Sequence, residues 1–547
     1  MLHNRGYMSR ILLLLACCAF MPSAWAAGEY PRIGAYWHDK KDRFVESKYE
    51  VDTMKFLSLA DAVVINPNPG IQKDQYRQRV QQARQINPGL LIFPYINVAE
   101  TNPSKATATN ASLREFVNPN RGGADLARDG WLRESDGTMT SYWPNNNAIN
   151  ISDYVSPFSG GTTNATNLDR PMTGERPVDY MGRIAYYRKL EPIEDYIDGV
   201  FEDLFRRYPK ADADWDNDGD NDGRNGSTDA IIQRKWREAH VRNLHNLVGD
   251  DYRGSGAPNA RSNGRAWLQN GGYYLGNVSA WTDSSDVLDS IETGRSMGKI
   301  MEYDGVLHGG VFEAVFGADH SRGGLRADGT GTDWGTASLD LALTAFNFSL
   351  DHTRDIPELG YSATILEGLA STMQMARYIF AAGLLTDGLV NVRTYDNGSH
   401  MQPPWVLDEY VGRDISKMSN RAAYEARHWL GRAMDPAYPF NPRRNNGRVF
   451  MREFEYGLVV LLAGRAHKDN HLSAVVTVNL PDAGDGADWY RIDGGQDSSW
   501  NNGQKVTSVT LGTSANNINK NAIVLRRVGV TPKNKDVIPK PPVLLFD

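Results

Sequence analysis

The 547-residue sequence predicts an α/β fold, a (β/α)8 TIM barrel followed by a C-terminal all-β sandwich-like module. Short, nearly continuous apolar runs recur over about the first 400 residues, with helical patterns between them. This alternation is typical of buried parallel strands that are joined by crossover helices. After about residue 445 the runs become alternating and Val-rich, with turn residues between them, which predicts short antiparallel strands.

The chain begins with a segment that resembles a secretory signal peptide. Arg5 and Arg10 precede the apolar run 11–21, and an A-x-A cleavage motif follows at 24–26, so we expect residues 1–26 to be removed. The predicted location is therefore secreted or periplasmic, with no transmembrane segment in the mature chain. The stretch that ends at Cys17 also loosely resembles a lipoprotein cleavage box, which leaves a lipid-anchored outer-surface protein as the alternative.

Removal of residues 1–26 changes both the charge and the cysteine content. The full chain has 59 basic and 66 acidic residues, and two of the basic residues lie in the leader. The remaining chain therefore has 57 basic and 66 acidic residues, a formal net charge of −9. This balance argues against a nucleic-acid partner, because phosphate binding needs a concentrated excess of cations. Cys17 and Cys18 are the only cysteines, which excludes disulfides and thiolate chemistry from the mature protein.

Eight apolar runs are expected to form the barrel, over residues 27–445. A barrel of this kind typically has about 250 residues, so large insertions are expected, chiefly within residues 102–177 and 314–357. The predicted strands are, in chain order, Arg32–Trp37, Ala62–Asn66, Leu90–Asn97, Gly199–Asp203, Arg265–Asn270, Val306–Glu313, Ser362–Leu366 and Gly388–Val392.

Six alternating runs predict the β-sandwich module, over residues 446–530. Residues 531–547 carry four prolines and no apolar period, so we expect a flexible tail there. The predicted module strands are Val449–Phe454, Gly457–Leu462, Ser473–Leu480, Trp489–Ile492, Val506–Leu511 and Ala522–Arg526.

Two predicted barrel strands end in carboxylates, at the end of the barrel where the βα loops build the mouth. Strand four ends in Glu202 and Asp203, and because strand side chains alternate only one of them can face the mouth; we expect Asp203. Strand six ends in Glu313. Hydrolysis of a glycosidic bond needs such a pair, since one group protonates the departing oxygen and the other attacks the anomeric carbon or activates water. We assign the acid to Glu313 and the nucleophile or base to Asp203, and leave the stereochemistry open.

Other residues near strand ends are candidates for the same site. Glu409, in an acidic and aromatic cluster after strand eight, is a reserve catalytic carboxylate, and Glu367 at the end of strand seven is a second reserve. Aromatic faces stack on sugar rings, and amides both donate to and accept from hydroxyl groups. The predicted substrate-binding residues are Tyr36, Trp37, Asn66, Tyr95, Asn97 and Asn270.

The loop after strand four has the spacing of a calcium-binding loop. Carboxylates occupy positions 1, 3, 5 and 12, and a backbone carbonyl is available at position 7. Asp214 and Asp216 add to the density of negative charge and can shift the register of the ligands. We expect a structural calcium ion that braces the wall of the mouth, and no organic cofactor. The ligands that the spacing predicts are Asp218, Asp220, Asp222, Arg224 through its carbonyl, and Asp229.

Four segments carry a family resemblance: Asp198–Asp203, Ala376–Gly388, Trp405–Tyr410 and Arg452–Gly457. In these segments, which span most of the mature chain, the sequence resembles the hypothetical glycosyl hydrolase family 15, barrels related to the endo-α-1,4-polygalactosaminidases. The resemblance implies a barrel glycosidase whose strand-four and strand-six carboxylates map onto Asp203 and Glu313. The calcium loop is not part of the resemblance and depends on its own spacing.

Two functions of different classes follow from these residues. The first is a secreted glycoside hydrolase that cleaves the glycosidic bonds of a polysaccharide with two carboxylates. The alternative is a catalytically inactive barrel that serves as a glycan-binding or cell-surface structural protein. The presence of both Asp203 and Glu313 favours the enzyme, because a binding protein does not need an acid pair. The sugar, the linkage and the oligomeric state stay open.

Overall fold

The computed structural model describes most of residues 28–529. The predicted leader, the predicted tail, Arg224, Asp229 and the predicted strand Arg265–Asn270 lie outside the described residues. The gaps within 28–529 are 38–43, 46–49, 68, 102–129, 143–145, 153, 159–160, 169–170, 206–208, 210–211, 223–229, 249–271, 279–301, 318–324, 327–338, 371, 395–403, 438–443, 446–448, 463–474 and 513–520.

Eight parallel strands form a closed barrel, which confirms the predicted fold class. Each strand pairs in parallel with the next in the chain. A bridge between Ile33 and Val390, with a 3.1 Å hydrogen bond from the Val390 N–H to the Arg32 carbonyl, joins the last strand to the first. The strands are β1 (Gly34–Trp37), β2 (Ala62–Ile65), β3 (Leu91–Ile96), β4 (Gly199–Glu202), β5 (Tyr273–Asn277), β6 (Gly309–Gly317), β7 (Ile365–Ala370) and β8 (Leu389–Thr394); the two-residue strand Leu325–Arg326 pairs with β6.

Seven of the eight predicted strands overlap a barrel strand, and the fifth differs. The structure places β5 at Tyr273–Asn277, beyond the predicted run Arg265–Asn270. Gly276 interrupts the apolar pattern of β5, and a Cβ atom there would lie 2.9 Å from the Cβ of Phe205. Phe205 therefore leaves room only for glycine at position 276. Because glycine interrupts the apolar run, the sequence pattern does not identify this strand.

Helices cover the outside of the barrel. Thr372 and Ser419 cap two of them, since their side chains accept hydrogen bonds from the Met375 and Ala422 N–H groups. The described helices are α1 (Glu50–Leu59), α2 (Pro69–Ile86), α3 (Pro177–Ala185), α4 (Ala230–Val248), α5 (Leu339–Asp351), α6 (Met373–Leu384) and α7 (Asn420–Ala426); a π-helical turn Tyr186–Leu190 and the 3-10 turns Glu191–Tyr196, Asp408–Tyr410 and Ile415–Lys417 complete them. No described helix has the length and apolar character needed to cross a membrane.

The strand alternation separates the barrel interior from the layer between strands and helices. Phe201 of β4 packs inside the barrel with Tyr36 and Tyr95, whereas Val200 packs in the outer layer. The same alternation puts Asp203 on the inner side and Glu202 on the outer side, where Glu202 contacts the His240 ring of α4. This arrangement agrees with the choice of Asp203 over Glu202.

The insertion after β3 forms a small core of its own beside the mouth. Trp131 of the insertion, Trp215 of the loop after β4 and Trp236 of α4 pack in this core. The short strands Glu100–Thr101 and Asn147–Ala148 pair at its edge. Asp214 pairs with Arg133, so the acidic loop after β4 lies against the insertion.

The C-terminal residues form two antiparallel sheets, as the predicted sandwich-like module requires. One face of the larger sheet packs against the two-stranded sheet through apolar residues such as Val460, Val478, Trp489 and Val509. The strands are β9 (Val449–Phe454), β10 (Gly457–Leu462), β11 (Val476–Asn479), β12 (Asp488–Arg491), β13 (Lys505–Val506), β14 (Ser508–Leu511) and β15 (Ala522–Val528); Arg444–Asn445 pairs with β9, and β11 with β14.

Candidate active site

Asp203 lies just after β4 and accepts three hydrogen bonds. The Tyr95 hydroxyl donates to Oδ2 at 2.6 Å, and the Leu204 N–H and the Asn277 side-chain amide donate to Oδ1 at 2.7 and 3.1 Å. The side chain is buried, with 8% of the residue exposed. An ionised carboxylate only accepts hydrogen bonds, so this set of donors suits a negatively charged Asp203.

The residue after Asp203 has a strained backbone. Leu204 has a φ of 60°, in the left-handed region that a branched apolar residue rarely adopts. This conformation accompanies the hydrogen bond from the Leu204 N–H to the Asp203 side chain. Strained residues of this kind cluster at functional sites, where the surrounding structure holds them in place.

Asn277, the last residue of β5, joins Asp203 to Glu313. Its Nδ2 atom donates to Asp203 Oδ1 at 3.1 Å and to Glu313 Oε2 at 3.2 Å. The two carboxylate oxygens can therefore be no further apart than the sum of these distances, 6.3 Å. The structure thus brings the two predicted catalytic carboxylates together.

Two glycines explain how β6 reaches this position. A Cβ atom on Gly309 would lie 2.4 Å from the Ala363 carbonyl carbon, and one on Gly310 would lie 2.5 Å from a methyl carbon of Val278. Contacts this short do not occur, so the paired glycines allow β6 to pass between its neighbours. The odd His308-Gly309-Gly310 approach to the strand is therefore a packing requirement.

Tyr36 and Tyr95 form an aromatic floor beneath the carboxylates. Both rings pack on Phe201, with centroid distances of 5.3 and 5.8 Å. Burial, followed by the negative charges of Glu313 and Asp203, raises the pKa of Tyr36 well above its usual value. Burial and the Asp203 charge likewise raise the pKa of Tyr95. Both hydroxyl groups therefore keep their protons at neutral pH.

A third carboxylate lies on the β7 and β8 side of the mouth. Glu367, the second reserve, is fully buried, and its Oε1 atom lies 3.1 Å from Arg393 Nε and 3.4 Å from Asn391 Nδ2. The Glu367 charge also contributes to the raised pKa of Tyr36. Glu367 is thus part of the same site and is paired with an arginine.

Four of the predicted substrate-binding residues lie on or just after the barrel strands. Tyr36 and Tyr95 face the mouth, and Asn66 and Asn97 follow their strands and make polar contacts: Asn66 Oδ1 accepts from Lys189 Nζ at 3.3 Å, and Asn97 Oδ1 accepts from the Ala99 N–H at 3.0 Å. Asn270 lies outside the described residues.

Trp37 does not line the mouth. It packs in the outer layer, where its ring meets Phe44 edge-on at a centroid distance of 5.6 Å. The reason is the strand alternation, because Tyr36 already occupies the inward position and its neighbour must point out. The prediction that Trp37 binds substrate is corrected accordingly.

Glu409 is also absent from the mouth. It is fully buried in a 3-10 turn, and its Oε1 atom accepts hydrogen bonds from Arg377 Nε of α6 and from Asn501 of the β module, the latter at 2.9 Å. This contact set joins the barrel to the module. Glu409 is therefore a structural carboxylate and not a reserve catalytic one.

The sequence predictions missed Asn277 and Arg393. Asn277 ends a strand that was expected earlier in the chain, and Arg393 follows the last residue of the predicted run Gly388–Val392. Extending each strand by its alternation would have placed both side chains inward, since Leu275 and Leu389 belong to the interior core. Correct strand ends are therefore the signal that was lacking.

The carboxylates that converge in the acidic loop after β4 are only partly those of the predicted ligand set. Asp214, Asp216 and Asp218 each offer one oxygen atom, and these atoms lie within 4.8 Å of one another. Asp222 instead turns one oxygen toward the Trp215 N–H at 2.6 Å. Of the predicted ligands, Asp218 belongs to this group, whereas Asp220 and Asp222 do not.

Comparisons with known proteins find solved structures at low identity and low TM-score. No family model matches the sequence, and no curated protein matches it. An Anoxybacillus alpha-amylase structure has a TM-score of 0.40 and 10% identity, over 93% of this chain and 99% of that one. A Lactobacillus plantarum alpha-amylase has 0.41 and 9%, over 90% and 98%. A cyclic alpha-maltosyl-(1→6)-maltose hydrolase from Arthrobacter globiformis has 0.39 and 11%, over 92% and 99%.

Similarity at this level says nothing about a sugar or a reaction for this chain. The resemblance to the hypothetical glycosyl hydrolase family 15 stays a prediction, because no family model matches. The function therefore has to be argued from the residues in the mouth.

Proposed function

We propose that this protein is an exported glycoside hydrolase that cleaves a polysaccharide with Asp203 and Glu313. The observation that carries the proposal is the Asn277 amide, which donates to both carboxylates and so limits their separation to 6.3 Å. Two carboxylates at adjacent positions in a barrel mouth are the minimum that glycosidic bond cleavage requires. Export rests on the predicted leader at residues 1–26.

We propose that hydrolysis proceeds with retention of the anomeric configuration. Retaining enzymes hold their carboxyl groups about 5–5.5 Å apart, and inverting enzymes about 6.5–9.5 Å apart to admit a water molecule. Asp203 Oδ1 and Glu313 Oε2, the two oxygens that share the Asn277 donor, are at most 6.3 Å apart, which is compatible with the retaining separation. Asp203 is then the nucleophile, and Glu313 is the acid and base.

The reaction proceeds in two displacements. Glu313 gives its proton to the glycosidic oxygen while an Asp203 oxygen attacks the anomeric carbon, so the sugar becomes an ester of Asp203 and the leaving chain departs as an alcohol. Glu313, now ionised, takes a proton from water, whose oxygen attacks the same carbon and releases Asp203. The Tyr95 hydroxyl and the Asn277 amide hold Asp203 in position through both steps.

We expect wild-type protein to release reducing ends from at least one member of a panel of galactosaminoglycans, glucans and acidic exopolysaccharides. Proton NMR of the first product should show the anomer of the substrate, because two displacements restore the configuration. An inverted first product would contradict the assignment of Asp203 as nucleophile. If wild type releases nothing, yet binds a glycan as well as the Asp203→Asn and Glu313→Gln variants do, the protein is the inactive glycan-binding alternative.

We also propose that the acidic loop binds calcium through Asp214, Asp216 and Asp218. Calcium prefers carboxylate oxygens, and one such atom, Asp216 Oδ1, is buried without a hydrogen-bond partner. The neighbouring charges repel one another: the Asp218 charge raises the pKa of Asp220, and burial together with the charges of Asp216, Asp218 and Asp214 raises the pKa of Asp222 to about 6. A divalent cation relieves this repulsion and braces the loop against the insertion.

Chelation tests the calcium site. Excess EDTA is expected to lower the Tm of wild-type protein by about 2–5 °C, because removal of a ligand that binds the folded state costs stability. Asp216→Asn should remove most of this difference, whereas the exposed Asp74→Asn, which lies on α2 with 84% of its side chain exposed, should keep it. A transition that EDTA leaves unchanged in wild type would rule out the ion.

A further inference from the structure

The β7 and β8 side of the mouth holds two buried polar side chains that contact one carboxylate oxygen. Arg393 Nε lies 3.1 Å and Asn391 Nδ2 lies 3.4 Å from Oε1 of Glu367. Asn391 and Glu367 are fully buried, and 3% of Arg393 is exposed. The register pairs Glu367 with Asn391 across β7 and β8, and the arginine lies one inward position further along β8.

Both side chains have buried polar atoms without a hydrogen-bond partner; Arg393 Nε is in ion-pair contact with Glu367 but makes no hydrogen bond. Arg393 Nη2 is a buried donor and Asn391 Oδ1 is a buried acceptor, and neither has a hydrogen bond. The orientation of the amide is determined by Glu367, since exchanging the nitrogen and oxygen of Asn391 would set two acceptors against each other. A buried polar atom without a hydrogen-bond partner destabilises the folded state. A ligand that supplies an acceptor and a donor would relieve this destabilisation.

The two atoms belong to the same mouth as the carboxylate pair. The guanidinium carbon of Arg393 lies 5.8 Å from the centre of the Tyr36 ring. The Tyr36 side chain is in turn within electrostatic range of Asp203 and Glu313. A sugar ring held over Tyr36 by Arg393 would therefore lie next to the pair that we propose as catalytic.

We propose that Arg393 and Asn391 form a subsite for a neutral sugar ring and bind two neighbouring hydroxyl groups of it. A hydroxyl both accepts and donates, so one can accept from Arg393 Nη2 while the next donates to Asn391 Oδ1. An acidic sugar fits less well, because Glu367 already neutralises Arg393 and the charge of Asp203 repels a further carboxylate. The subsite rests on the proposed function for its role, but its binding can be measured separately.

Sugar binding to the full-length protein tests this inference. The probes are glucose, galactose, mannose and N-acetylglucosamine, with glucuronate and galacturonate as their acidic counterparts, and the measurement is titration calorimetry or saturation-transfer NMR. At least one neutral sugar should bind wild type more tightly than both acids do. Tighter binding of an acid, or no binding of any neutral sugar, would overturn the proposal. This comparison needs no variant.

Variants then assign the binding to the two side chains. Arg393→Gln and Asn391→Leu should each weaken binding of the neutral sugar about tenfold, the loss of one hydrogen bond to a buried group. The matched control is Arg421→Gln, an exposed arginine of α7 that pairs with Glu425, which should leave binding unchanged. If Arg393→Gln does not fold, Arg393→Lys replaces it in the test. Lysine keeps the charge but lacks Nη2, so it should weaken binding by a similar factor. Unchanged binding in a folded Arg393 variant would overturn the proposal.

Sugar binding and polysaccharide cleavage, measured separately in wild type and in Arg393→Gln, distinguish this subsite from the proposed function. If no polysaccharide is cleaved by wild type but sugar binding depends on Arg393, the hydrolase proposal fails and the subsite stands. If cleavage is found but Arg393→Gln changes neither sugar binding nor KM, the subsite fails and the hydrolase stands.

Discussion

Glu313→Gln should lower hydrolysis of the substrate found in the panel by about 10²- to 10⁴-fold, the usual contribution of a general acid. Glutamine keeps the acceptor for Asn277 but cannot give a proton to the glycosidic oxygen. Asp203→Gly should lower hydrolysis at least as much, because the nucleophile is lost. The measurement is the initial rate of reducing-end release at saturating substrate.

Azide distinguishes the two roles. In Asp203→Gly it can take the place of the carboxylate, attack the anomeric carbon and release a glycosyl azide of inverted configuration. In a Glu313 variant, azide would attack the ester of Asp203 and give a glycosyl azide of retained configuration. The exposed Glu425→Gln is the matched control, with 61% of its side chain exposed, and should keep full activity. Wild-type rates in Asp203→Gly or Glu313→Gln would disprove the mechanism.

Arg452→Ala should cost about 2–4 kcal/mol of unfolding free energy, because two buried backbone carbonyls lose their hydrogen-bond donor and Asp387 loses its partner. Arg452 of β9 is 1% exposed, and it donates to Asp387 Oδ1 and the Thr386 carbonyl, both at 2.6 Å, and to the Leu384 carbonyl at 3.1 Å. These acceptors lie between α6 and β8, so the arginine joins the module to the barrel. Denaturation in urea at neutral pH is the measurement.

An exposed arginine provides the control for this prediction. Arg432 pairs with Glu455 at 2.6 Å but has 67% of its side chain exposed, so Arg432→Ala should cost about 0–1 kcal/mol. Similar losses for Arg452→Ala and Arg432→Ala would show that the buried pair does not hold the module. Sugar binding by folded Arg452→Ala should be unchanged, because Asp387 precedes β8 at the end of the barrel opposite the mouth.

Acid should weaken the same contact. Burial raises the pKa of Asp387, but Arg452, the Tyr30 hydroxyl and Arg32 outweigh it, so the pKa lies below its ordinary value of 3.8. The folded state then holds fewer protons than the unfolded state, and stability falls as the pH drops below about 4. Arg452→Ala should therefore lose less stability than wild type over that range.

The predicted family resemblance depends largely on segments that lie at this interface. Three of the four segments that carry it, Ala376–Gly388, Trp405–Tyr410 and Arg452–Gly457, meet where the module contacts the barrel: Arg452 reaches the carbonyls before β8, and Arg377 of α6 pairs with Glu409. Their recognisable residue types reflect how the two parts pack. Asp198–Asp203 is the segment that also enters the mouth.

The sequence alone determined most of the barrel and one half of the candidate site. Strands buried on both faces must be apolar throughout, so seven of them are visible as runs, and the alternation within a run is enough to choose Asp203 over Glu202. Glu313 could be placed because the predicted run Val306–Glu313 ends in it, whereas in the structure β6 continues past Glu313 to Gly317. These inferences need only the periodicity of one strand at a time.

The remaining parts of the site depend on contacts between residues that are distant in sequence. The bridge from Asn277 to Asp203 spans 74 positions, and the ion pair that removes Glu409 from the mouth spans 32. Phe205 packs so closely on β5 that position 276 must be glycine, and this glycine interrupts the apolar run by which β5 would be recognised. The closure of the barrel between Ile33 and Val390 brings Arg393 over Tyr36. Which polar groups meet, and which stay unpaired, follows from the folded chain because packing between strands is not encoded in any single run.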